Sequence, residues 1–503
     1  MQIFSHMLVT EYYFADRTDN CGQVAWSHTR QLDSVDQEIA LSANVIAVEN
    51  PADRNGWVWL RRAPSSAIRS WDSGPNVRLV REGSCWRFVP GTCNVAYPEV
   101  ILHFKGGAAG LTRALHRYQL NHGAVLDGLL LSNTWGDRSR AARLNESFAL
   151  AEIRRGAELG IEVVQLDDGW QTGRTSNTVE KGGVWNGFWA QTPHFWETDP
   201  QRFPRGLGPL VAEATNLGLK LGLWFAPDST DSFCHWSRDA DVILGLWREH
   251  GIAHFKLDAI KLDSRLGEES LGCLLERLSR LSGGVIRLDL DLTDEARLGV
   301  WGVPDGATVF IENRYSDWGT YYPHATLRSL WTLSATVHPA RLRMELLNPE
   351  RNQEIYGSDP LAPAHYRADW LFASVMLSSP LAWFENTGLS VNFGSDLAIM
   401  IGHWKRHRNT LHGGWVQPFG ECPNGSNLCG FAVFDQADEL VHLLAFRSQG
   451  EANEVTWSPP PCGFCNRQLH RIAGTADLTL DMHAKNHRVV FRDFYSFGWW
   501  SAS

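Results

Sequence analysis

Ile252-Ala-His-Phe-Lys-Leu-Asp-Ala-Ile-Lys261 is a short apolar run that ends in a Lys-x-Asp pair. Side chains alternate along an extended chain, so Lys256 and Asp258 share one face. A carboxylate at the end of a buried strand, kept ionised by a neighbouring ammonium, is suited to nucleophilic attack. The ammonium can also donate to a substrate hydroxyl. The same ten residues would serve equally as an ordinary strand end, so the reading depends on what surrounds them.

Seven similar runs flank this one. The spacing predicts strands over Leu126–Asn133, Ile161–Asp167, Lys220–Ala226, Ile252–Asp258, Val285–Asp291, Ala307–Asn313, Arg341–Leu347 and Leu381–Asn386. Amphipathic patterns at Arg140–Leu159, Gly206–Leu217, Asp239–His250, Leu266–Leu281, Pro363–Leu377 and Asp396–Leu411 predict the intervening helices. Eight βα units over residues 120–411 imply an α/β chain built on a (β/α)8 TIM barrel. An open doubly wound sheet is the alternative, but no G-x-G-x-x-G and no phosphate-loop motif follows a strand. Residues 1–119 read as an N-terminal β-rich domain, with strands such as Gly56–Arg61, Asn76–Val80 and Pro98–Phe104 and a helix from Gly110. Residues 412–503 read as a small C-terminal β-sandwich, with strands at Gly430–Phe434, Leu440–Phe446 and His487–Phe491.

Composition narrows the function. A net charge of −10 argues against nucleic acid and anionic membrane surfaces. No apolar run reaches the roughly 18 residues of a membrane span. The start, MQIFSHMLVTEYYFADRTDN, lacks the basic end and apolar core of a secretory signal, so a cytoplasmic location is expected. Cys462 and Cys465 form a lone C-x-x-C; Cys422 and Cys429 could join them at a metal, but thiols of a turn region are the simpler reading. No metal or other cofactor is expected. The 23 tryptophans suit either sugar-ring stacking or a core of large residues.

Barrel active sites open at the C-terminal ends of the strands, and the residues there are polar where the strand bodies are apolar. In order they are Asn133 and Trp135; Asp167, Asp168 and Trp170; Trp224 and Asp228; Lys256 and Asp258; Asp289 and Asp291; Glu312, Arg314 and Asp317; and Trp383, Glu385 and Asn386. Carboxylates, indoles, one lysine and one arginine around a mouth suit a polyol. Glycosidic cleavage needs two carboxyl groups in unlike surroundings. Asp258 is expected to attack the anomeric carbon. Asp317, set among aromatic residues in Glu312-Asn-Arg-Tyr-Ser-Asp-Trp318, is expected to be desolvated and to protonate the leaving oxygen; capping the next helix is its plainer role. Glu312 is the next candidate acid. The adjacent Asp167 and Asp168 suit two neighbouring sugar hydroxyls, or a turn that Asp168 caps. Asp289 and Asp291 share a strand face, with hydroxyl binding, a cation or a solvated rim left open.

These residues resemble glycoside hydrolase family 36, the melibiase-type α-galactosidases, in a clan shared with the lysosomal-type α-galactosidases. The likeness rests on Val164-Gln-Leu-Asp-Asp-Gly-Trp-Gln171, Arg202-Phe-Pro-Arg-Gly-Leu207, Gly218-Leu-Lys-Leu-Gly-Leu-Trp-Phe-Ala-Pro227 and Phe255-Lys-Leu-Asp258, in order along Ile101 to Leu411. It implies a retaining mechanism with Asp258 as nucleophile, Asp167 and Asp168 on the 4- and 6-hydroxyls, and Lys256 and Trp224 in the same subsite. Arg314-Tyr-Ser-Asp317 stands where the family has Trp-Thr-Ser-Asp, so the resemblance carries the proton-donor role to Asp317. Trp135, Trp170, Glu312 and Arg314 are further expected sugar contacts. The chain departs from the family in lacking a Cys-Ser-Gly-Gly-Gly motif, in placing Ala226 where a glutamate is usual, and in its shorter N-terminal region.

The reading is therefore an exo-acting α-galactosidase taking an oligosaccharide or other α-galactoside, with no nucleic-acid or membrane partner and a homo-oligomer left open. The alternatives are galactosyl transfer of the raffinose- or stachyose-synthase type, an α-N-acetylgalactosaminidase, and a sugar-binding barrel without turnover. A metal-dependent isomerase fits least, because no His/carboxylate cluster with ligand spacing sits at the strand ends.

Overall fold

The computed structural model describes residues 2–15, 22–32, 36–91, 95–122, 128–293, 298–481 and 486–502. At its centre are eight parallel strands: Leu131–Asn133, Val163–Leu166, Lys220–Phe225, His254–Leu257, Arg287–Asp291, Thr308–Phe310, Glu345–Leu346 and Leu381–Ala382. Numbered one to eight, they pair in the order 6-5-4-3-2-1-8-7. An isolated parallel bridge, Val309 to Leu342, joins strand six to the approach of strand seven, and Arg343 N–H donates to Val309 O at 2.8 Å. The barrel is thereby closed. Each predicted strand contains an observed one, although the start of the first (126–127) lies outside the described residues. Strands two and four are buried along their whole length, as expected where helices cover a parallel sheet.

Helices follow the strands where the apolar periodicity placed them, with ends set by capping. The helix expected from Arg140 begins instead at Glu146, because Asn145 Oδ1 accepts the Phe148 N–H at 3.0 Å. It ends at Gly160, whose φ of +85° closes the left-handed cap. Ser264 and Gly283 frame the helix Arg265–Ser282 in the same way. Strand seven is shorter than expected because Pro339–Arg341 makes a 3-10 turn ahead of it.

Ahead of the barrel, a four-stranded and a five-stranded antiparallel sheet pack face to face around Ile3, Val48, Trp59, Leu79 and Trp86. Behind it, a five-stranded and a three-stranded sheet enclose Trp415, Phe434, Trp457 and Trp500. The helix Gly107–His122 ties these parts together: Arg113 and Arg117 both donate to Asp438, as does the Trp415 indole. Cys462 and Cys465 are partly buried near the turn after the proline run, with Cys465 Sγ 3.5 Å from His487 Nε2. Most of the tryptophan surplus is core, including the fully buried Trp86, Trp370, Trp404, Trp415 and Trp499. No helix among the described residues is long and apolar enough to cross a membrane.

One polar tie lies inside the barrel. Arg343, just before strand seven, donates to Asp289 Oδ1 of strand five at 2.7 and 3.0 Å, and to Leu129 O at 2.8 Å. Both side chains are buried. Removing one partner leaves a desolvated charge without its counter-charge, which costs more than the pair itself contributes. Arg343→Met is expected to lower unfolding free energy by about 3–5 kcal/mol, read from the urea midpoint, and the added change Asp289→Leu to recover most of it. A loss under about 1 kcal/mol in the single variant would contradict this account.

Candidate active site

A cavity of about 330 Å³ opens at the C-terminal ends of the strands. Asp167, Asp168, Trp224, Lys256, Asp258 and Asp291 line its strand-end side, with Asn313, Thr293 and Tyr315 beside them. Trp135, Arg138 and Arg140 come from the loop after strand one, Asn177 and Trp185 from the loop after strand two, and Trp318 from the loop after strand six.

Lys256 is the electrostatic hub. Its ammonium stands 3.4 Å from Asp167, 3.5 Å from Asp258 and 3.2 Å from Asp291. Burial alone would strip its proton, yet these three carboxylates outweigh burial and push its pKa up. Asp258 also accepts the Trp224 indole N–H at 3.1 Å and the Ala259 N–H at 2.6 Å. Ala259 holds a left-handed φ of +52° to give that bond, a conformation costly for a residue with a Cβ and typical of functional turns. The carboxylate is thus fixed on one side, with 14% of its side chain open to the cavity.

The Asp-Asp-Gly-Trp turn shows why each residue type is needed. Asp167 is gripped by Asn133 Nδ2 at 2.7 Å and by the Asp168 N–H at 2.9 Å. Asp168 takes the Gln171 amide at 2.7 Å and the Thr175 hydroxyl, so it holds the loop and caps no helix. Gly169 adopts a φ of +111°, and a Cβ there would come within 2.5 Å of the Ala141 methyl. Burial raises the pKa of Asp167, and Lys256 offsets part of that rise. Burial likewise raises Asp168 to about 7, against the pull of its bonds from Thr175 and Gln171.

Four expected site residues lie elsewhere. Trp170 is fully buried beneath the turn, its indole N–H donating to Trp224 O at 2.8 Å, so it shapes the site without lining it. Beyond strand six, alternation sends Asn313 and Tyr315 toward the cavity and Glu312 and Arg314 away from it. Those two are buried and pair with each other at 3.2 Å. Asp317 was expected to be desolvated; instead its side chain is 36% exposed and stands 3.8 Å from Arg138. It does not cap the following helix, which starts at Pro323 after Tyr322. Asp289 and Asp291 share a face but occupy different depths, Asp289 on Arg343 and Asp291 on Lys256.

The sequence reading missed Arg138, Arg140, Asn177 and Trp185, all on loops with no periodic signal. Tyr315 and Trp318 were noted only as aromatic surroundings of Asp317. Arg138 bridges these loops, its guanidinium 4.5 Å from the Tyr315 ring centre and 4.1 Å from that of Trp318.

Buried carboxyls give the fold a signed pH response. Burial lifts Asp137 to about 6 and Glu152, Asp168 and Asp239 to about 7. The folded chain therefore keeps protons that the unfolded chain loses near pH 4. The resulting stability is full below that and fades as pH rises through about 7, by up to about 1.4 kcal/mol per group per pH unit. Buried neutral His338 and His412, lowered to about 4 and about 3, act in the opposite direction under acid conditions. A paired comparison isolates one carboxyl. Asp239 accepts the Trp189 indole and the Asp228 N–H, and Asp239→Asn is expected to gain stability relative to wild type between pH 5 and pH 8. A pH-independent difference in urea midpoint would contradict that assignment.

The melibiase family model matches residues 96–245. Over 156 residues the chain is 31% identical to a probable alpha-galactosidase C of Aspergillus terreus, covering 28% of this chain and 19% of that protein. It is also 31% identical over 149 residues to alpha-galactosidase AgaA of Geobacillus stearothermophilus, covering 28% and 18%. The matched stretch thus spans about a fifth of these relatives' length. The crystal structure of AgaA, a GH36 alpha-galactosidase, superposes on all of this chain with 76% of its own length, a TM-score of 0.67 and 15% identity. A variant of it in complex with raffinose gives 0.70 at 14% identity, with the same coverage. Family model, motif order and fold agree: residues 96–245 are similar to the melibiase family, and the chain shares the fold of the GH36 alpha-galactosidases.

Proposed function

We propose that this chain is a retaining exo-α-galactosidase acting on terminal α-galactosides of oligosaccharides. The observation that carries the reading is Asp258, held by Trp224 and Lys256 at the end of strand four, with Asp167 and Asp168 on the same wall. The relatives' names and the raffinose complex of one of them agree with this substrate class.

In the first step Asp258 attacks the anomeric carbon, the bond to the leaving oxygen breaks, and Asp317 gives that oxygen its proton. In the second, Asp317 takes a proton from water as the water displaces Asp258, and galactose leaves with its α-configuration retained. Asp317 is assigned by its place on the strand-six loop between the cavity-lining Tyr315 and Trp318, and beside Arg138. Asp167 and Asp168 are buried carboxyls in the cavity lining, and the resemblance to the melibiase-type enzymes assigns them to the 4- and 6-hydroxyls of galactose.

A nitrophenyl α-galactoside is therefore expected to be hydrolysed at least about 100-fold faster, in kcat/KM, than the α-glucoside. Equal rates, or preference for the glucoside, would overturn the assignment of the sugar.

A further inference from the structure

The loop between Thr134 and Leu144 is anchored far more firmly than a surface loop requires. Asp137 accepts the Glu385 N–H at 3.1 Å and stands 3.3 Å from Arg351. Ser139 and Arg143 both donate to the Glu385 carboxylate, and Arg202 donates to Ala141 O. Between these anchors Arg138 and Arg140 hold left-handed backbones, with φ of +51° and +52°. Each costs roughly 1 kcal/mol or more in a residue with a side chain, and persists only where the surroundings enforce it. Both arginines line the cavity.

Their charges are not equivalent. Arg138 is committed to the Tyr315 and Trp318 rings and to Asp317. Arg140 is exposed, and has no ion-pair or hydrogen-bond partner among the described residues. The strand-end wall carries Asp167, Asp168, Asp258 and Asp291 against Lys256. The cavity is thus polarised, with acceptors for a neutral sugar at depth and an uncompensated guanidinium outside. Trp318, 50% exposed and stacked on Arg138, belongs to the same lining.

We propose that Arg140 forms a subsite for a leaving group bearing a carboxylate, such as a uronic acid or an aromatic acid α-linked to galactose. This rests on the galactosidase reading above. A guanidinium suits a carboxylate because its paired N–H groups match the two oxygens, and a neutral aglycone leaves it with water alone.

The test compares 4-carboxyphenyl α-galactoside with the neutral 4-carbamoylphenyl α-galactoside, matched in size. At low ionic strength the wild-type protein is expected to favour the carboxylate by about tenfold in kcat/KM, and less in 0.5 M salt. Arg140→Gly, which keeps the left-handed backbone without strain, is expected to bring the ratio close to one; Arg140→Lys should fall between. Hydrolysis of both substrates at equal rates by the wild type, or a preference that survives Arg140→Gly, would overturn the subsite and leave the galactosidase reading standing. Hydrolysis of neither would overturn both.

Discussion

Asparagine in place of Asp258 is expected to lower kcat/KM for aryl α-galactosides by about 10⁴-fold or more, with the fold unchanged by circular dichroism. The amide keeps the shape and can still accept the Ala259 N–H, but it cannot form the glycosyl ester. Shortening the side chain makes a sharper test. In Asp258→Gly the space left beside Trp224 and Lys256 admits azide, which would attack the anomeric carbon directly and give the inverted β-galactosyl azide. Activity within about tenfold of wild type in either variant would remove Asp258 from the chemistry.

Removal of Asp317 should leave the opposite stereochemical record. Asp317→Ala is expected to slow hydrolysis by about 10²–10⁴-fold, the usual worth of a positioned acid and base. The loss should be smallest in the first step for nitrophenyl leaving groups, which need little protonation. Azide needs no general base, so it should restore turnover and yield α-galactosyl azide, since it displaces Asp258 from a sugar whose anomeric carbon has already been inverted once. This second result matters because the Asp317 side chain is 36% exposed and lies against Arg138. A variant retaining full activity, with no azide product, would move the acid role away from this residue.

The barrel was legible in the sequence because its signal is local. Each strand is a short apolar run, each helix an amphipathic one, and parallel strands covered on both faces leave few polar interruptions. The Asp-Asp-Gly-Trp turn and the Lys-x-Asp strand end were legible for a related reason: each alone could be an ordinary strand end, but several charged strand ends meeting at one barrel mouth point to a site. Where the sequence reading went astray, the cause lay in side-chain direction. Past Phe310 the chain leaves the sheet, yet its residues still alternate, which turns Glu312 and Arg314 onto each other and presents Asn313 and Tyr315 to the cavity. Counting by twos from strand six would have found this. Trp170 could not be placed from sequence, because its indole partner is the backbone of Trp224, 54 residues away. Arg138 and Arg140 carry no periodic signal at all; their placement follows from Glu385, more than 240 residues distant, which fastens the neighbouring Ser139 and Arg143.

Catalysis in this account passes through an ester on one side chain. Incubation with 5-fluoro-α-galactosyl fluoride, whose ring fluorine slows both steps while its fluoride leaving group keeps the first one fast, should trap that ester for peptide mass spectrometry. One fluorogalactosyl group per chain is expected, on the peptide that contains Asp258. A sugar found instead on Asp291 or Asp317, or β-galactose released first from a natural α-galactoside with no adduct at all, would contradict it.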